Sequence, residues 1–149
     1  MSRAERHAAL DADTMQRWMR FASGERPLYV GLLGLQIEDV RVDYCRMRMP
    51  FRPTLEQAAG IVHGGAIAGL LDSVVVPAVG AAYPPKTRFS TVDLHVQFLA
   101  ALVSDDAVAE GWVVRRGRTT VFCESEVVAA ATGKVVARSL LTYQVSPAT

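Results

Sequence analysis

Residues 60–82, GIVHGGAIAGLLDSVVVPAVGAA, decide the fold of this chain. The segment has the length of a helix, is apolar almost throughout, and opens with His63, Gly64 and Gly65. Its interior holds one ionisable residue, Asp72, whose carboxylate is costly to desolvate without partners or a functional purpose. Backbone amides beside the glycines, at the start of the helix, suit a developing negative charge. The segment therefore predicts a buried helix with half of a hydrolytic site.

The chain before this helix is predicted to form one helix, two strands and a loop, at residues 11–22, 30–38, 41–49 and 50–60. Apolar residues at helical spacing indicate the first helix, which Gly24 and Pro27 end. A brief turn around Asp39 separates the two strands.

After the helix, the sequence predicts only strands, at residues 90–99, 106–115, 120–129 and 134–145. In the first of these, strict alternation places Val92, Leu94, Val96 and Phe98 on one face and Thr91, Asp93, His95 and Gln97 on the other. Short turns favour an antiparallel meander. The prediction is an α+β fold in which an antiparallel sheet of five to six strands wraps around one long apolar helix, and so thin a domain suggests oligomerisation.

Composition limits the classes of function. The 149 residues suit one domain, and a net charge of +1 gives no general attraction to nucleic acid or to a membrane. Asp72 and Pro77 interrupt the longest apolar stretch, so the sequence predicts no membrane span. Cys45 and Cys123 form no CxxC motif, and the charged N-terminus does not resemble a secretory signal. These features predict a cytoplasmic protein with reduced thiols.

The spacing of the two site elements predicts a homo-oligomer. Gly64 and Asp72 are eight residues apart, which is about 12 Å along a helix, whereas oxyanion donors sit about 3 Å from the developing charge. One helix cannot place both groups on one carbonyl, but two antiparallel copies can. We therefore expect composite sites at a two-fold interface.

The motifs resemble those of the hotdog fold, and in particular the PaaI-like or 4-hydroxybenzoyl-CoA-thioesterase-like acyl-CoA thioesterases. The resemblance is carried by the HGG segment with Asp72, by residues 91–94 (TVDL), and by residues 114–138 (VRRGRTTVFCESEVVAAATGKVVAR). It covers residues 28–146. It implies a helical extension over residues 1–27, a single hotdog domain over residues 28–149, and a dimer or a dimer of dimers.

The resemblance also implies roles for individual residues. Asp72 matches the acid that acts as nucleophile or general base, and Gly64, with Gly65, matches the amide that polarises the thioester carbonyl. Gln57 matches a side chain that orients water or the carbonyl, and Thr91 matches a hydroxyl at the start of the following strand. Pro77 inside the helix departs from expectation because it should kink or shorten the helix. Val76 is a second departure, since some relatives have Ser or Thr there.

Other residues carry two interpretations. His63 is structural or transfers a proton, and Gly64 and Gly65 alternatively serve close packing. Arg116 and Arg118 around Gly117, with Arg115 adjacent, form either a solubilising turn or a clamp for the phosphates of coenzyme A, for which Arg88 and Lys86 are further candidates. Candidates for the acyl pocket are Val75, Val79 and Phe98. Asp93 and His95 make no metal set, so neither a metal nor a cofactor beyond the coenzyme A of the substrate is expected.

The leading hypothesis is hydrolysis of an acyl-CoA thioester. The alternative is an acyl-CoA or acyl-ligand binding protein with the same fold that does not hydrolyse its ligand. A hotdog dehydratase or hydratase is a weaker third interpretation. The identity of the acyl group stays open, as does the choice between dimer and tetramer.

Overall fold

A six-stranded antiparallel sheet packs against one long helix in the computed structural model, which describes residues 2–21 and 28–146. Within these ranges the helices are α1 (Ala12–Met19), α2 (Tyr29–Leu32) and α3 (Gly64–Gly80), with 3-10 turns at Ala4–Arg6 and Pro53–Leu55. The strands are β1 (Gln36–Arg41), β2 (Tyr44–Met49), β3 (Arg88–Phe98), β4 (Ala107–Arg116), β5 (Thr120–Ala129) and β6 (Val135–Ser146). The order across the sheet is β1-β2-β4-β5-β6-β3, so β1 and β3 are the edges. The predicted α+β hotdog architecture is confirmed.

Alternation along the strands builds the core between sheet and helix. Successive side chains of a strand point to opposite faces, so every second residue meets α3. The buried residues on this inner face include Met47 of β2, Ala109 of β4, Val127 of β5 and Ala137 of β6. Within the described residues, no helix is long and apolar enough to cross a membrane.

Helix α3 is shorter than the predicted segment and is not buried all round. It runs from Gly64 to Gly80 and continues three residues past Pro77. Most of its residues are buried, but a stripe remains at least partly accessible, at Gly65, Ala68, Gly69, Asp72 and Val76. The carboxylate therefore lies on the one side of the helix that a ligand or a second chain can reach.

The predicted boundaries of the first two strands were wrong. Residues 29–32 form α2, and the chain turns at Gly34, with a φ of 70°, before β1 begins at Gln36. The hairpin turn is at Asp43, which has a φ of 63°, and not at Asp39. Asp39 lies inside β1 beside a shift in the register. An aspartate tolerates the left-handed conformation, so the sequence offered two turn residues and tertiary packing selected the second.

The N-terminal segment contacts both faces of the sheet. The Arg3 guanidinium lies 3.5 Å from the ring centroid of Trp112 on the outer face. The ring of Trp18 in α1 packs against Gly80 at the end of α3 and lies 6.5 Å from the ring of Phe89. The helix predicted over residues 11–22 is confirmed for Ala12–Met19, whereas Ala22, Gly24, Pro27 and the predicted boundary at residue 27 lie outside the described residues.

A bulge in β3 changes which residues face α3. Thr91 pairs with Tyr143, but Asp93 pairs with Thr142, so Val92 is an extra residue. The alternation is thereby reset, and Thr91 shares the inner face with Leu94. The sequence prediction, which placed Thr91 on the polar face and Val92 beside Leu94, was wrong because strict alternation holds only without a bulge.

Side chains cap both ends of α3. At the start, Nδ1 of His63 accepts a hydrogen bond from the Gly65 N–H at 2.8 Å. At the end, Nη2 of Arg116 donates to the carbonyls of Ala78 and Val79 at 3.1 and 3.0 Å. Each cap satisfies backbone groups that the helix leaves without internal partners. The Nε of Arg116 also donates to Asp43 at 2.7 Å, which ties the β1–β2 turn to the end of α3.

The His63 cap predicts a specific mutational pattern. His63→Ala removes the acceptor and should lower the free energy of unfolding by about 1 kcal/mol. His63→Asn and His63→Asp place another acceptor at the cap and should retain most of the stability. Urea denaturation of the wild type and the three variants measures the free energy of unfolding. Equal loss of stability in all three variants would contradict the capping role.

The Arg116 cap predicts a larger effect at the other end of the helix. Arg116→Ala leaves Asp43 and two helix carbonyls without their donor and should lower the free energy of unfolding by about 2 kcal/mol. Arg116→Lys should not restore it, because one ammonium group cannot replace the planar guanidinium. Arg118→Ala is the matched control, since Arg118 is exposed in the same turn. Thermal unfolding measures the effect, and a midpoint temperature of Arg116→Ala equal to that of the wild type would refute the cap.

Candidate functional site

Asp72 is held by two hydroxyl groups that reach it from neighbouring strands. Its Oδ1 accepts hydrogen bonds from Thr91 Oγ1 at 2.8 Å and from Tyr143 Oη at 3.1 Å. Within the described residues, nothing donates to Oδ2. One carboxylate oxygen is therefore fixed in place, while the other is available to an incoming group.

Tyr143 is a site residue that the sequence analysis missed. It lies on β6 directly opposite Thr91, and its hydroxyl donates both to the side chain and, at 3.1 Å, to the backbone carbonyl of Asp72. Burial, with the nearby Asp72 charge, raises the pKa of Tyr143, so the phenol stays protonated. The alternation of β6 could have indicated that Tyr143 faces the core. Its pairing with Thr91 follows only from the register of the sheet.

The start of α3 offers one uncommitted backbone donor. Gly65 N–H is bound to the His63 side chain, and the amides of Ala66 and Ile67 donate to the His63 carbonyl. Among the described residues, no atom accepts a hydrogen bond from Gly64 N–H. Of the two glycines predicted to polarise a carbonyl, the free amide therefore belongs to Gly64, and that of Gly65 is used by the cap.

An apolar cavity of about 360 Å³ adjoins this amide. Its lining comes from the start of α3, the end of β3 and the loop that follows, and it includes Gly64, Ile67, Phe98, Leu102 and Val136. The Phe98 ring is half exposed and approaches within 3.2 Å of the position that a Cβ on Gly64 would take. The free N–H thus lies beside an apolar wall.

Gln57 belongs to the loop that leads into the helix. Its Oε1 accepts a hydrogen bond from Ala59 N–H at 2.8 Å, and the loop is closed by the backbone bond from His63 N–H to Leu55. The side-chain NH₂ of Gln57 has no acceptor among the described residues. Gln57 therefore has a donor left over near the first turn of α3.

Some predicted site residues are placed elsewhere. Val75 and Val79 are completely buried, and Val75 packs against Gly111 of β4, so Val75 faces the sheet and not the open side of α3. Arg116 is committed to the helix cap. Arg118 and Arg88 are exposed and lie at the same end of the sheet, where Thr120 pairs with Gln144 and Arg88 pairs with Ser146.

Neither cysteine is placed to act as a nucleophile. Cys45 and Cys123 are both buried and unpaired. Burial raises the pKa of Cys123 to about 12 and that of Cys45 well above its usual range, so neither is a thiolate near neutral pH. Across the described ranges, no group of three or more His, Cys, Asp and Glu side chains converges on a common point.

The free donor and the free carboxylate oxygen of one chain are far apart. Gly64 and Asp72 are separated by two turns of α3, which is about 12 Å of helical rise. A single carbonyl group cannot touch both of them in the same protomer.

Comparisons with known proteins identify the family. The sequence profile described as the Thioesterase superfamily matches residues 59–136, just over half of the chain. This region contains His63, Gly64, Asp72 and Thr91, whereas Gln57 and Tyr143 lie outside it. Among curated proteins, no sequence matches significantly.

Solved structures show the same fold. AziG of S. sahachiroi is 28% identical with a TM-score of 0.73, and the match covers 78% of this chain and 94% of that one. A thioesterase of Haemophilus influenzae is 20% identical with a TM-score of 0.79, covering 89% and 90%. The E. coli PaaI protein from the phenylacetic acid degradation operon is 19% identical with a TM-score of 0.78, covering 89% and 94%. The chain therefore belongs to the Thioesterase superfamily and has the hotdog fold that its motifs predicted.

Proposed function

We propose that this protein hydrolyses acyl-CoA thioesters to a free acid and coenzyme A. The observation that carries the proposal is the uneven hydrogen bonding of the Asp72 carboxylate. Its Oδ1 accepts hydrogen bonds from two hydroxyls, while Oδ2 has no donor among the described residues. Membership of the Thioesterase superfamily supports this reaction class. A protein that only bound its ligand would gain little from a partly buried carboxylate presented in this way.

In the proposed reaction, Oδ2 of Asp72 acts in one of two ways. As a nucleophile it attacks the thioester carbon, the C–S bond breaks, and water hydrolyses the resulting anhydride. As a general base it takes a proton from the water that attacks the same carbon. Both routes release a thiolate, which leaves without a strong general acid. Both also place negative charge on the carbonyl oxygen, which the Gly64 N–H stabilises.

The reacting Asp72 and Gly64 come from different protomers in this proposal. Strand β3 is an edge strand with exposed apolar side chains, at Val92, Leu94 and Phe98. An unpaired edge of this kind is a template for another strand. A two-fold pairing of β3 with its copy would bring two α3 helices alongside in opposite directions, with the start of one beside the middle of the other. A homodimer with two composite sites follows, and a dimer of dimers is compatible with it.

Neighbouring residues support the same chemistry. Thr91 orients Asp72, and the spare NH₂ of Gln57 is available to water or to the carbonyl. His63 is assigned to the helix cap, because its Nδ1 accepts a hydrogen bond from Gly65 N–H. Phe98 contributes to the wall of the acyl pocket. The proposed reaction requires no metal or cofactor, since the Asp72 carboxylate supplies the nucleophile or base and the Gly64 amide stabilises the charge on the carbonyl oxygen.

The phosphates of coenzyme A are proposed to bind at the exposed basic end of the sheet. Arg118 follows Gly117, whose N–H closes the tight β4–β5 turn on the Thr120 carbonyl at 2.7 Å. Arg88 lies at the same end, with Lys86 just before it in the chain. Arg118 and Arg88 form no ion pair within the described residues and are open to a phosphate. Arg116 is excluded from this group because it caps α3.

Free buried cysteines fit a reducing compartment, so we assign the protein to the cytoplasm.

Removal of the Asp72 charge should abolish turnover. Asp72→Asn keeps the shape of the side chain and should lower kcat for acyl-CoA substrates about a hundredfold or more, because it removes the nucleophile or base. Asp13→Asn is the matched control, since Asp13 is an exposed carboxylate on α1. Release of free thiol measures the rates. Wild-type turnover in Asp72→Asn refutes the mechanism, and binding of acyl-CoA without turnover in the wild type favours the alternative of a non-hydrolytic binder.

The composite site can be tested by complementation. Gly64→Pro deletes the free N–H at the first position of α3, where proline is tolerated, and His63 has the extended conformation (ψ of 134°) that precedes proline. Gly64→Ala adds a Cβ but keeps the N–H, so it is the matched control. Co-assembled Gly64→Pro and Asp72→Asn chains restore one site in half of the dimers, which gives about a quarter of wild-type activity.

The two parental variants must be inactive alone for this test, and Gly64→Ala must remain active. Purified mixtures are unfolded together and refolded so that the chains exchange. If the site lay within one protomer, every mixed dimer would carry two broken sites. Absence of any recovered activity in verified mixed dimers therefore contradicts the composite site.

A further inference from the structure

We infer that Tyr143 is a positioning residue that fixes the plane of the Asp72 carboxylate and so selects Oδ2 as its reacting oxygen. The inference rests on the proposed function of Asp72 and deepens it. Tyr143 lies outside the segment that matches the Thioesterase superfamily. Its assignment comes from the geometry of this chain.

The contacts of the phenol explain the selection. A single Tyr143 hydroxyl lies 3.1 Å from both the Oδ1 and the backbone carbonyl of Asp72. It therefore ties the side chain of Asp72 to its own helix. The terminal torsion of an aspartate is otherwise broad, with two equivalent orientations that exchange its oxygens. Thr91 alone contacts only Oδ1 and would leave rotation of the carboxylate about the Cβ–Cγ bond less restricted.

The two donors are placed together by the sheet. Thr91 and Tyr143 are directly paired across β3 and β6, and the bulge after Thr91 turns its side chain toward α3. Bulges are frequent beside active sites because they redirect individual side chains. Both hydroxyls converge on Oδ1, so neither strand supplies a donor to Oδ2.

Tyr143 is suited to a fixed donor and not to proton transfer. Only 1% of the residue is exposed, and its ring packs 6.3 Å from the ring of Phe89. Because burial and the Asp72 charge raise its pKa, the phenol remains a donor over the whole working range of pH. Its contribution is therefore to geometry.

The test removes one hydroxyl. Tyr143→Phe keeps the ring and deletes the bond, so we expect kcat for acyl-CoA to fall about tenfold, in line with a lost hydrogen bond to a charged group. KM should change less than about twofold, because Tyr143 does not touch the substrate. Tyr44→Phe is the matched control, since Tyr44 is equally buried and donates to a carboxylate, that of Glu110 at 2.9 Å, on the outer face. Tyr44→Phe should leave kcat unchanged.

A double-mutant cycle separates positioning from a general effect on folding. If Tyr143 acts through Asp72, adding Tyr143→Phe to Asp72→Asn should cause no further fall in the residual rate. An equal fall in both backgrounds shows an action independent of Asp72 and overturns the inference. A wild-type kcat in Tyr143→Phe overturns it as well.

The outcomes also separate this inference from the proposed function. If Asp72→Asn itself hydrolyses acyl-CoA at the wild-type rate, the proposed function fails. If Asp72→Asn is inactive while Tyr143→Phe is fully active, the proposed function stands and only the role of Tyr143 is refuted.

Discussion

The rest of this structure depends on the placement of one carboxylate in the middle of an apolar helix. A charged group among leucines and valines is unfavourable unless hydrogen bonds compensate for lost hydration. The compensation comes from two hydroxyls on β3 and β6, and it reaches only one of the two oxygens of Asp72. The asymmetry is the source of the proposed chemistry, because the oxygen left over is the one that can react.

The precision of that placement requires α3 to be fixed along its length. Side chains hold the helix at three levels, since His63 caps its start, Ser125 donates to the Leu71 carbonyl at 2.9 Å, and Arg116 binds its last carbonyls. For Arg116, the residue type and its neighbours in the sequence suggested a role other than the one seen in the structure. A cluster of arginines around a glycine suggests phosphate binding, but the register of β4 turns Arg116 inward while Arg118 stays exposed. Neighbouring arginines thereby acquire different tasks.

Within the described residues, each protomer has two unpartnered surfaces, the accessible stripe of α3 and the exposed edge of β3. Within one protomer, the partly accessible carboxylate of Asp72 and the free N–H of Gly64 are about 12 Å apart along α3, so the proposed reaction needs two protomers. The same protomer exposes Val92, Leu94 and Phe98 beside an unpaired strand edge. Pairing of two protomers would cover the apolar edge and complete the two sites together, which links assembly to activity.

The sequence by itself determined the elements whose signals are local. The apolar run with its HGG start predicted α3, alternation predicted the later strands, and helical spacing separated Gly64 from Asp72. It did not determine the β3 bulge, the inward face of Thr91, the contact of Tyr143 with Asp72, or the cap formed by Arg116. Each of these depends on which residues lie opposite one another across the sheet, and one inserted residue reverses the faces of a strand. Register is set by the packing of the whole sheet against the helix, so only the tertiary structure decided it.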